Sequence, residues 1–295
     1  MTQPVFRGIA TALVTPLTET GINFDQFGRL IDWQLNSGID ALVICGTTGE
    51  SSTLTDEEHR AAIEYAVQRV NHRVPVIAGT GSNHTDYAVD LTRFSCEAGA
   101  DACLVVTPYY NKATQKGLVK YYTDVADAST KPIIVYNVPS RTGINIEPAT
   151  YAAMADHPRI QGIKEANSNI SKIVETSHLV RGKMDIYSGN DDQITPILAM
   201  GGMGCISVLS NILPERTREI CTRFWDGDVR ASAELQGDLI PLIKALFCEV
   251  NPIPVKAAVA AMGFCDNIVR PPLTTMEEAN FTKLLALMRA EGLNV

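Results

Sequence analysis

One lysine of this sequence stands where its amine could act as a nucleophile. Lys164 ends the apolar run "IQGIK" and is followed by Glu165. An amine withdrawn from water is partly neutral, and a neutral amine can attack a carbonyl carbon to form a Schiff base. An ion pair with Glu165, or a side chain that reaches from a strand end into solvent, would explain the same residue. Lys256, in "IPVKAAVAAMG", is a second candidate, which we interpret as a packing residue.

Three other polar groups also follow apolar runs. "GTTGE" (46–50) offers the hydroxyls of Thr47 and Thr48 and glycine-flanked amides, which together can bind a carboxylate, although any tight turn favours Gly and Thr. Tyr136 ends "IIVYN" and could move a proton through its phenol, or simply pack. Arg141, in "PSRTG", could bind a carboxylate through two parallel hydrogen bonds, or be a surface charge. These side chains are therefore candidates for binding a small carboxylic acid.

The sequence lacks the usual patterns of metal and nucleotide sites. Its histidines show no HxH or HExxH spacing, and no GxGxxG, Walker or GxSxG segment occurs. We therefore predict no metal site and no separate cofactor. The five histidines are His59, His72, His84, His157 and His178.

Charge and cysteine use limit the partners and the compartment. The formal net charge is -8 and the pI about 5.2, without a basic block, which argues against nucleic acid or an acidic membrane as a partner. The seven cysteines show no CxxC pattern, and several lie in apolar runs, as reduced cysteines do. No signal-peptide pattern and no run of membrane-spanning length is visible. The predicted location is the cytosol.

Eight short, nearly continuous apolar runs alternate with amphipathic stretches, a pattern typical of parallel strands covered on both faces. Eight strand–helix units in 295 residues favour a closed (β/α)8 barrel, the TIM-barrel class of α/β folds. An open doubly wound sheet is the alternative, but one domain of that kind rarely needs eight units. The predicted strands are 9–15, 41–45, 75–79, 102–106, 132–137, 160–164, 185–189 and 204–208.

Helix signals separate these strands and continue beyond them. Thr55 and Glu58 form a capping-box pattern at the start of one helix, and Gly99 is a candidate end of another. After about residue 225 the strand signals stop and three further helices are predicted. We therefore divide the chain into a catalytic barrel, 1–227, and a C-terminal helical region, 228–295.

Catalytic residues of such barrels gather where strands end and the next loops begin. Five segments of this sequence occupy those positions: "GTTGE", "TPYYNK", "YNVPSRTG", "GIKEAN" and "SGNDD". In this order they closely resemble the dihydrodipicolinate synthase family, over essentially the whole chain. The wider superfamily of pyruvate-dependent aldolases, which includes N-acetylneuraminate lyase, shares the lysine, the tyrosine and a GxTGE loop. "GTTGE" combined with the arginine of "NVPSRTG" is more specific to the synthase family.

The resemblance implies a reaction and its partners. Pyruvate and L-aspartate 4-semialdehyde would condense through a lysine Schiff base to give 4-hydroxy-tetrahydrodipicolinate, the committed step toward diaminopimelate and lysine. The iminium on the lysine would be the electron sink, so that no cofactor is needed. The resemblance also implies a homo-oligomer, a tetramer built as a dimer of dimers.

The resemblance assigns catalytic roles to four residues. Lys164 is expected to carry the Schiff base. Tyr136 is expected to relay protons through Thr47 to Tyr110, and relatives take that last tyrosine from a neighbouring subunit. Together these four residues would form the catalytic group.

Substrate binding is assigned in the same way. Thr47 and Thr48 match the residues that hold the pyruvate carboxylate. Arg141 matches the arginine that receives the semialdehyde at the mouth of the barrel. The carbonyl of Gly189 and the backbone of Ile206 match positions that line the pocket.

Many relatives are inhibited by lysine, which binds near the loops after the second and third strands. Asp56 stands where inhibited bacterial relatives carry a histidine, and Tyr87 where they carry a glutamate that holds the lysine ammonium. Loss of that carboxylate would leave a buried cation unpaired, so we expect lysine inhibition to be weak or absent. Four residues still match that site: Ser51, His59, Asn83 and Tyr109.

Two other functions remain open at the level of sequence. One is a different pyruvate-dependent lyase, which would cleave N-acetylneuraminate or a keto-deoxy sugar. Arg141 favours the synthase, because a cationic mouth suits an aldehyde that carries a carboxylate. The other is a barrel that binds a small acid as a sensor without catalysis, which the intact set of Lys164, Tyr136 and Thr47 argues against.

Overall fold

The computed structural model describes residues 3–295 and shows a closed barrel of eight parallel strands in sequence order, with β8 paired to β1. This confirms the predicted (β/α)8 barrel. Five predicted strands extend one residue beyond an observed end, the fourth matches its observed bounds and the sixth stops one residue short. The end of the first strand is predicted three residues too late, because residues 13–15 remain buried beyond its observed end. The strands are Gly8–Ala12 (β1), Ala41–Ile44 (β2), Val76–Gly79 (β3), Ala102–Val106 (β4), Ile133–Asn137 (β5), Ile160–Glu165 (β6), Asp185–Ser188 (β7) and Gly204–Ser207 (β8).

Side chains of the strands alternate between the barrel interior and the surrounding helices. Val43, Ile134 and Ile206 belong to the cluster inside the barrel, whereas Leu42 and Ile44 pack against the helices. Both sets are buried, so the strands read as continuous apolar runs rather than alternating ones.

The helices confirm the sequence signals at their ends. Thr55 and Glu58 form the predicted capping box, and Gly99 follows the third helix with φ +95°. Within residues 3–295 no helix is long and apolar enough to cross a membrane. The helices are Phe24–Asn36 (α1), Asp56–Val70 (α2), Thr85–Glu97 (α3), Gln115–Asp127 (α4), Pro139–Thr142 (α5), Pro148–Met154 (α6), Ile170–Leu179 (α7), Ile194–Ala199 (α8), Pro214–Trp225 (α9), Val229–Leu246 (α10), Ile253–Ala261 (α11) and Glu278–Ala290 (α12).

The three helices predicted after residue 228 are present as α10, α11 and α12. Their apolar side chains share one core cluster with the barrel: Leu239 and Val255 belong to the same cluster as Ile9 and Leu30. The hydrophobic core therefore continues across residues 227 and 228. The division of the chain into two parts at that point remains a prediction.

Lys256 of α11 is more than a packing residue. Its side chain is fully buried, and Nζ lies 2.8 Å from Oε1 of Glu50 and donates to the carbonyl oxygen of Thr15 at 2.6 Å. The other oxygen of Glu50 accepts the backbone N–H of Arg270 at 3.0 Å. A buried charge is tolerated when it is paired and hydrogen-bonded, and both conditions hold here. The C-terminal region is thus attached to the end of the GTTGE loop.

Replacing Lys256 with Met should destabilise the protein by about 3–5 kcal/mol, because Glu50 would be left buried without its counter-charge. Urea unfolding at fixed protein concentration measures this loss. The double variant Glu50→Gln/Lys256→Met should recover part of it, since no unpaired charge remains. Lys244→Met, at an exposed site near the end of α10, is the control and should shift stability by less than about 0.5 kcal/mol. Equal stabilities of Lys256→Met and Lys244→Met would contradict the assignment.

Candidate active site

A cavity of about 180 Å³ opens at the carboxyl ends of the strands. Of the eight residues predicted for catalysis and substrate binding, the structure brings six into its lining: Thr47, Thr48, Tyr136, Arg141, Lys164 and Gly189. The other two of these eight lie elsewhere. Ile206 is buried in β8 inside the barrel, and Tyr110 is on the surface.

Lys164 reaches this cavity from β6, next to Tyr136 on β5. The two residues are partners in the β5–β6 pairing, and Nζ of Lys164 lies 4.1 Å from the centroid of the Tyr136 ring. The lysine side chain is 6% exposed, and within residues 3–295 its Nζ makes no hydrogen bond or ion pair. The amine is therefore available to a ligand in the cavity.

Glu165 does not pair with Lys164, because consecutive strand residues face opposite sides of the barrel wall. Its carboxylate is buried on the helix side, where it accepts hydrogen bonds from the Tyr151 hydroxyl at 2.9 Å and from Nδ2 of Asn137 at 2.8 Å. Burial raises the pKa of Glu165, and its hydrogen bonds oppose that rise. The ion-pair explanation of Lys164 is thus wrong.

Asp191 is a buried acid that sequence reasoning missed, although "SGNDD" contains it. Its Oδ2 accepts the backbone N–H groups of Val208 and Leu209 at 3.0 and 2.9 Å. Burial raises the pKa of Asp191, while these hydrogen bonds and the positive charge of Lys164 act in the opposite direction. Asp191 thus fixes the chain after β8, including Val208 in the cavity wall.

The GTTGE loop presents hydrogen-bond donors to the cavity. Its turn is closed by Gly49 N–H to Gly46 carbonyl and Glu50 N–H to Thr47 carbonyl bonds of 3.0 and 3.1 Å. In the part of the chain that the structure describes, the N–H groups of Thr47 and Thr48 donate to no protein acceptor. Backbone N–H groups left free in a tight turn form a site for an anion.

The helical region contributes two residues that the sequence did not single out. Phe247 and Asn251, which follow α10, both line the cavity. Asn251 donates from Nδ2 to the Thr48 hydroxyl oxygen at 3.0 Å, and its carbonyl accepts Nη2 of Arg141 at 2.9 Å. No local pattern marks these residues, because they lie about two hundred positions from the loop that they contact.

Tyr110 does not join the cavity of its own chain. Its side chain is 90% exposed, and its backbone has a positive φ of +72°, which is uncommon for a residue other than glycine. Within residues 3–295 no hydrogen bond links Thr47 to Tyr136 or to Tyr110. The predicted relay is therefore not formed within one chain.

A second cavity of about 430 Å³ adjoins the first and shares Thr47 and Arg141 with it. Three of the four residues expected at a lysine site line it, namely Ser51, His59 and Tyr109. Asn83 is not in the lining; its carbonyl accepts Nδ2 of Asn111 at 2.8 Å.

Asp56 and Tyr87, the two residues that differ from the lysine site of inhibited relatives, are hydrogen-bonded to each other. Tyr87 donates its hydroxyl to Asp56 at 2.9 Å, and Arg60 donates to the same carboxylate at 2.8 Å. The Arg60 hydrogen bond holds the pKa of Asp56 below its usual value, and the Tyr87 bond adds to that effect. His59 has a lowered pKa because it is buried, while Nε2 contacts the Gly79 carbonyl at 2.8 Å. No free carboxylate is thus offered to an ammonium group by Asp56.

Among residues 3–295, no group of three or more His, Cys, Asp or Glu side chains is arranged to hold a metal ion. The polar side chains that line the 180 Å³ cavity include the amine of Lys164, the phenol of Tyr136, hydroxyls and the guanidinium of Arg141. A closed parallel barrel with a buried lysine and a loop of free backbone N–H groups at the carboxyl ends of its strands places the protein in the α/β-barrel class, in which catalytic residues gather at this end.

Comparison with known proteins identifies the family. The model of the dihydrodipicolinate synthetase family matches residues 5–291. A 4-hydroxy-tetrahydrodipicolinate synthase of Acetivibrio thermocellus is 50% identical over 99% of this chain and 100% of its own. The crystal structure of dihydrodipicolinate synthase from Thermotoga maritima has a TM-score of 0.96 at 41% identity, covering 99% of this chain and 100% of that one.

A structure of the enzyme from Cyanidioschyzon merolae with lysine bound also has a TM-score of 0.96, at 34% identity, and covers 99% of this chain and 100% of that one. The chain belongs to the dihydrodipicolinate synthetase family, which is a family of enzymes.

Proposed function

We propose that this protein condenses pyruvate with L-aspartate 4-semialdehyde to give 4-hydroxy-tetrahydrodipicolinate, in the pathway to diaminopimelate and lysine. Its relatives at about half identity over the full chain carry that activity in their names. The observation that carries the proposal is the unpaired, buried amine of Lys164 beside Tyr136 in a small cavity. A nucleophilic amine shielded from water is what Schiff-base chemistry needs.

Lys164 would begin the reaction by attacking the keto carbon of pyruvate. Loss of water from the adduct gives an iminium, whose positive nitrogen accepts the electron pair released when the pyruvate methyl loses a proton. The resulting enamine carbon attacks the aldehyde carbon of the second substrate, and the aldehyde oxygen takes up a proton. The amino group of the second substrate then attacks the iminium carbon, which closes the ring, and the bond from that carbon to Nζ breaks, so that Lys164 leaves as the free amine. Tyr136, whose ring lies against Nζ, is the group placed to transfer protons in these steps.

Two separate groups would hold the two carboxylates. The free N–H groups of Thr47 and Thr48 and the Thr48 hydroxyl suit the pyruvate carboxylate, because they lie at the cavity wall as a set of converging donors. Arg141 lies at the junction of the two cavities, where the second substrate would enter. Its guanidinium suits the carboxylate of the semialdehyde, and the carbonyl of Gly189, which lines the same cavity, remains available as an acceptor.

A homo-oligomer would complete the proton relay. Tyr110 has an exposed phenol and a strained backbone, and a twofold dimer could bring it to the Thr47 of a partner, as occurs when one surface patch is used by both copies. Ile170 and Val174, neighbours on α7, are also exposed and could join such dimers into a tetramer. The seven unpaired cysteine thiols suit the reducing cytosol, where we place the enzyme.

Borohydride reduction in the presence of pyruvate should add one pyruvate-derived mass to the peptide that contains Lys164. Borohydride reduces the imine to a stable secondary amine, so the pyruvate-derived group stays on the lysine that formed the imine. Lys164→Ala should fold but lose at least about a hundredfold in kcat, in the range typical of an essential proton-transfer or nucleophilic group. Peptide mass spectrometry decides the site. A label on Lys256, or on no lysine at all, would falsify the mechanism.

Mixed subunits should restore activity if Tyr110 acts across an interface. Tyr110→Phe and Lys164→Ala are each expected to be inactive alone, yet a hybrid dimer contains one site with an intact lysine and an intact partner tyrosine. About half of the wild-type activity per hybrid is expected, one site of two. Tyr136→Phe mixed with Lys164→Ala is the control, because each defect disables the site of its own chain and no hybrid then contains an intact site. No recovery by the Tyr110→Phe mixture, once exchange is demonstrated by mass spectrometry, rules out sharing.

Lysine should inhibit weakly, with half-inhibition above about a millimolar, where the binding free energy is only about 4 kcal/mol. Asp56 is already paired with Arg60 and Tyr87 and cannot take the ammonium without losing those partners. The double variant Asp56→His/Tyr87→Glu should lower the half-inhibiting concentration at least tenfold. Steady-state assays with added lysine measure both proteins. Sub-millimolar inhibition of the unmodified enzyme would show that Asp56 and Tyr87 do not exclude lysine.

A further inference from the structure

Asn251 donates a hydrogen bond to the hydroxyl oxygen of Thr48, and both residues line the cavity. We infer that Asn251 is a positioning residue for the reaction: its side-chain amide directs the Thr48 hydroxyl proton toward the pyruvate carboxylate. The inference rests on the proposed role of Thr48 as a carboxylate ligand. It adds a residue of the C-terminal helical region to the substrate site.

The direction of one hydrogen bond carries the inference. Nδ2 of Asn251 lies 3.0 Å from Oγ1 of Thr48, and both side chains are at least nine-tenths buried. An amide nitrogen can only donate, so Oγ1 accepts here and its own proton is not used in this bond. Within residues 3–295 the Thr48 hydroxyl makes no other hydrogen bond. Its proton is therefore free to point into the cavity that both residues line.

The observed orientation of the Asn251 amide leaves its oxygen without a hydrogen bond, which is energetically unfavourable. Oδ1 of Asn251 is buried and has no hydrogen-bond partner. An unpaired buried acceptor is unfavourable, because it has lost its water without gaining a donor. If the amide were rotated by half a turn, Oδ1 would accept the Thr48 proton and remove that donor from the substrate. An anion in the cavity favours the observed orientation, because it needs the hydroxyl as a donor.

The segment that carries Asn251 is held against the GTTGE loop by a second contact. Five residues further on, Lys256 pairs with Glu50 at 2.8 Å, so that Thr48 and Glu50 are each held by this one segment. The backbone carbonyl of Asn251 accepts Nη2 of Arg141. Asn251 thus touches the proposed pyruvate site through its side chain and the proposed semialdehyde site through its backbone.

That division allows a sharp test, because a side-chain substitution changes only the Thr48 contact. Asn251→Ala should raise the KM for pyruvate about tenfold, equivalent to about 1.4 kcal/mol, and change the KM for the semialdehyde less than twofold. Asn251→Asp, which has the same shape, should raise the pyruvate KM further, since its carboxylate takes the Thr48 proton and repels the substrate. Asn280→Ala is the control: its amide donates to Glu249 in the same region, away from the cavity, and should leave both KM values unchanged.

A double-mutant cycle with Thr48→Val separates positioning from general structure. If Asn251 acts through Thr48, Asn251→Ala should have less than a twofold effect on the pyruvate KM in the Thr48→Val background. If the effects of Asn251→Ala and Thr48→Val on the pyruvate KM multiply, Asn251 has a merely structural role and the inference is overturned. Equal increases in the KM values for pyruvate and the semialdehyde would lead to the same conclusion. An unchanged pyruvate KM in Thr48→Val itself would instead remove the proposed role of Thr48, and the inference with it. Thermal melting of every variant identifies any that fails to fold, and the isosteric Asn251→Asp then carries the test.

Discussion

The closure of the barrel between β1 and β8 is the constraint on which the rest of the structure depends. Gly8 and Gly204 face each other in that pairing, with φ of +127° and +140°. A Cβ at Gly204 would overlap the carbonyl oxygen of Gly8, so the seam needs glycine for its close approach as well as for its backbone conformation. Because the ring is closed, each strand has one face that can only point inward.

The position of the reactive amine follows from that geometry. Lys164 and Glu165 are neighbours in sequence, yet one enters the barrel mouth and the other is buried among helix residues. The pairing of β5 with β6 then places Tyr136 beside Lys164. A shift of one residue in this strand would exchange the two side chains, bringing a carboxylate to the site in place of the amine.

Buried polar contacts join the C-terminal helices to this site. Lys256 holds Glu50 at the end of the GTTGE loop, and Asn251 holds Thr48 at its centre. Each contact requires a polar group to leave water, which is tolerated only with a well-placed partner. Such contacts specify position more than they add stability. The helical region is thus part of the candidate site as well as of the core.

Local periodicity and the positions where strands stop were enough to predict the order of strands and helices, the capping box at Thr55, and Lys164 and Tyr136 at strand ends. Three features became visible only in the folded chain: Glu165 faces away from Lys164, Asp191 is buried, and Lys256 is an ion-pair partner as well as a packing residue. Asn251 shows the reason most clearly. It meets Thr48 across 203 residues of chain, and no local pattern encodes a contact that exists only after the barrel has closed and the C-terminal helices have packed against it.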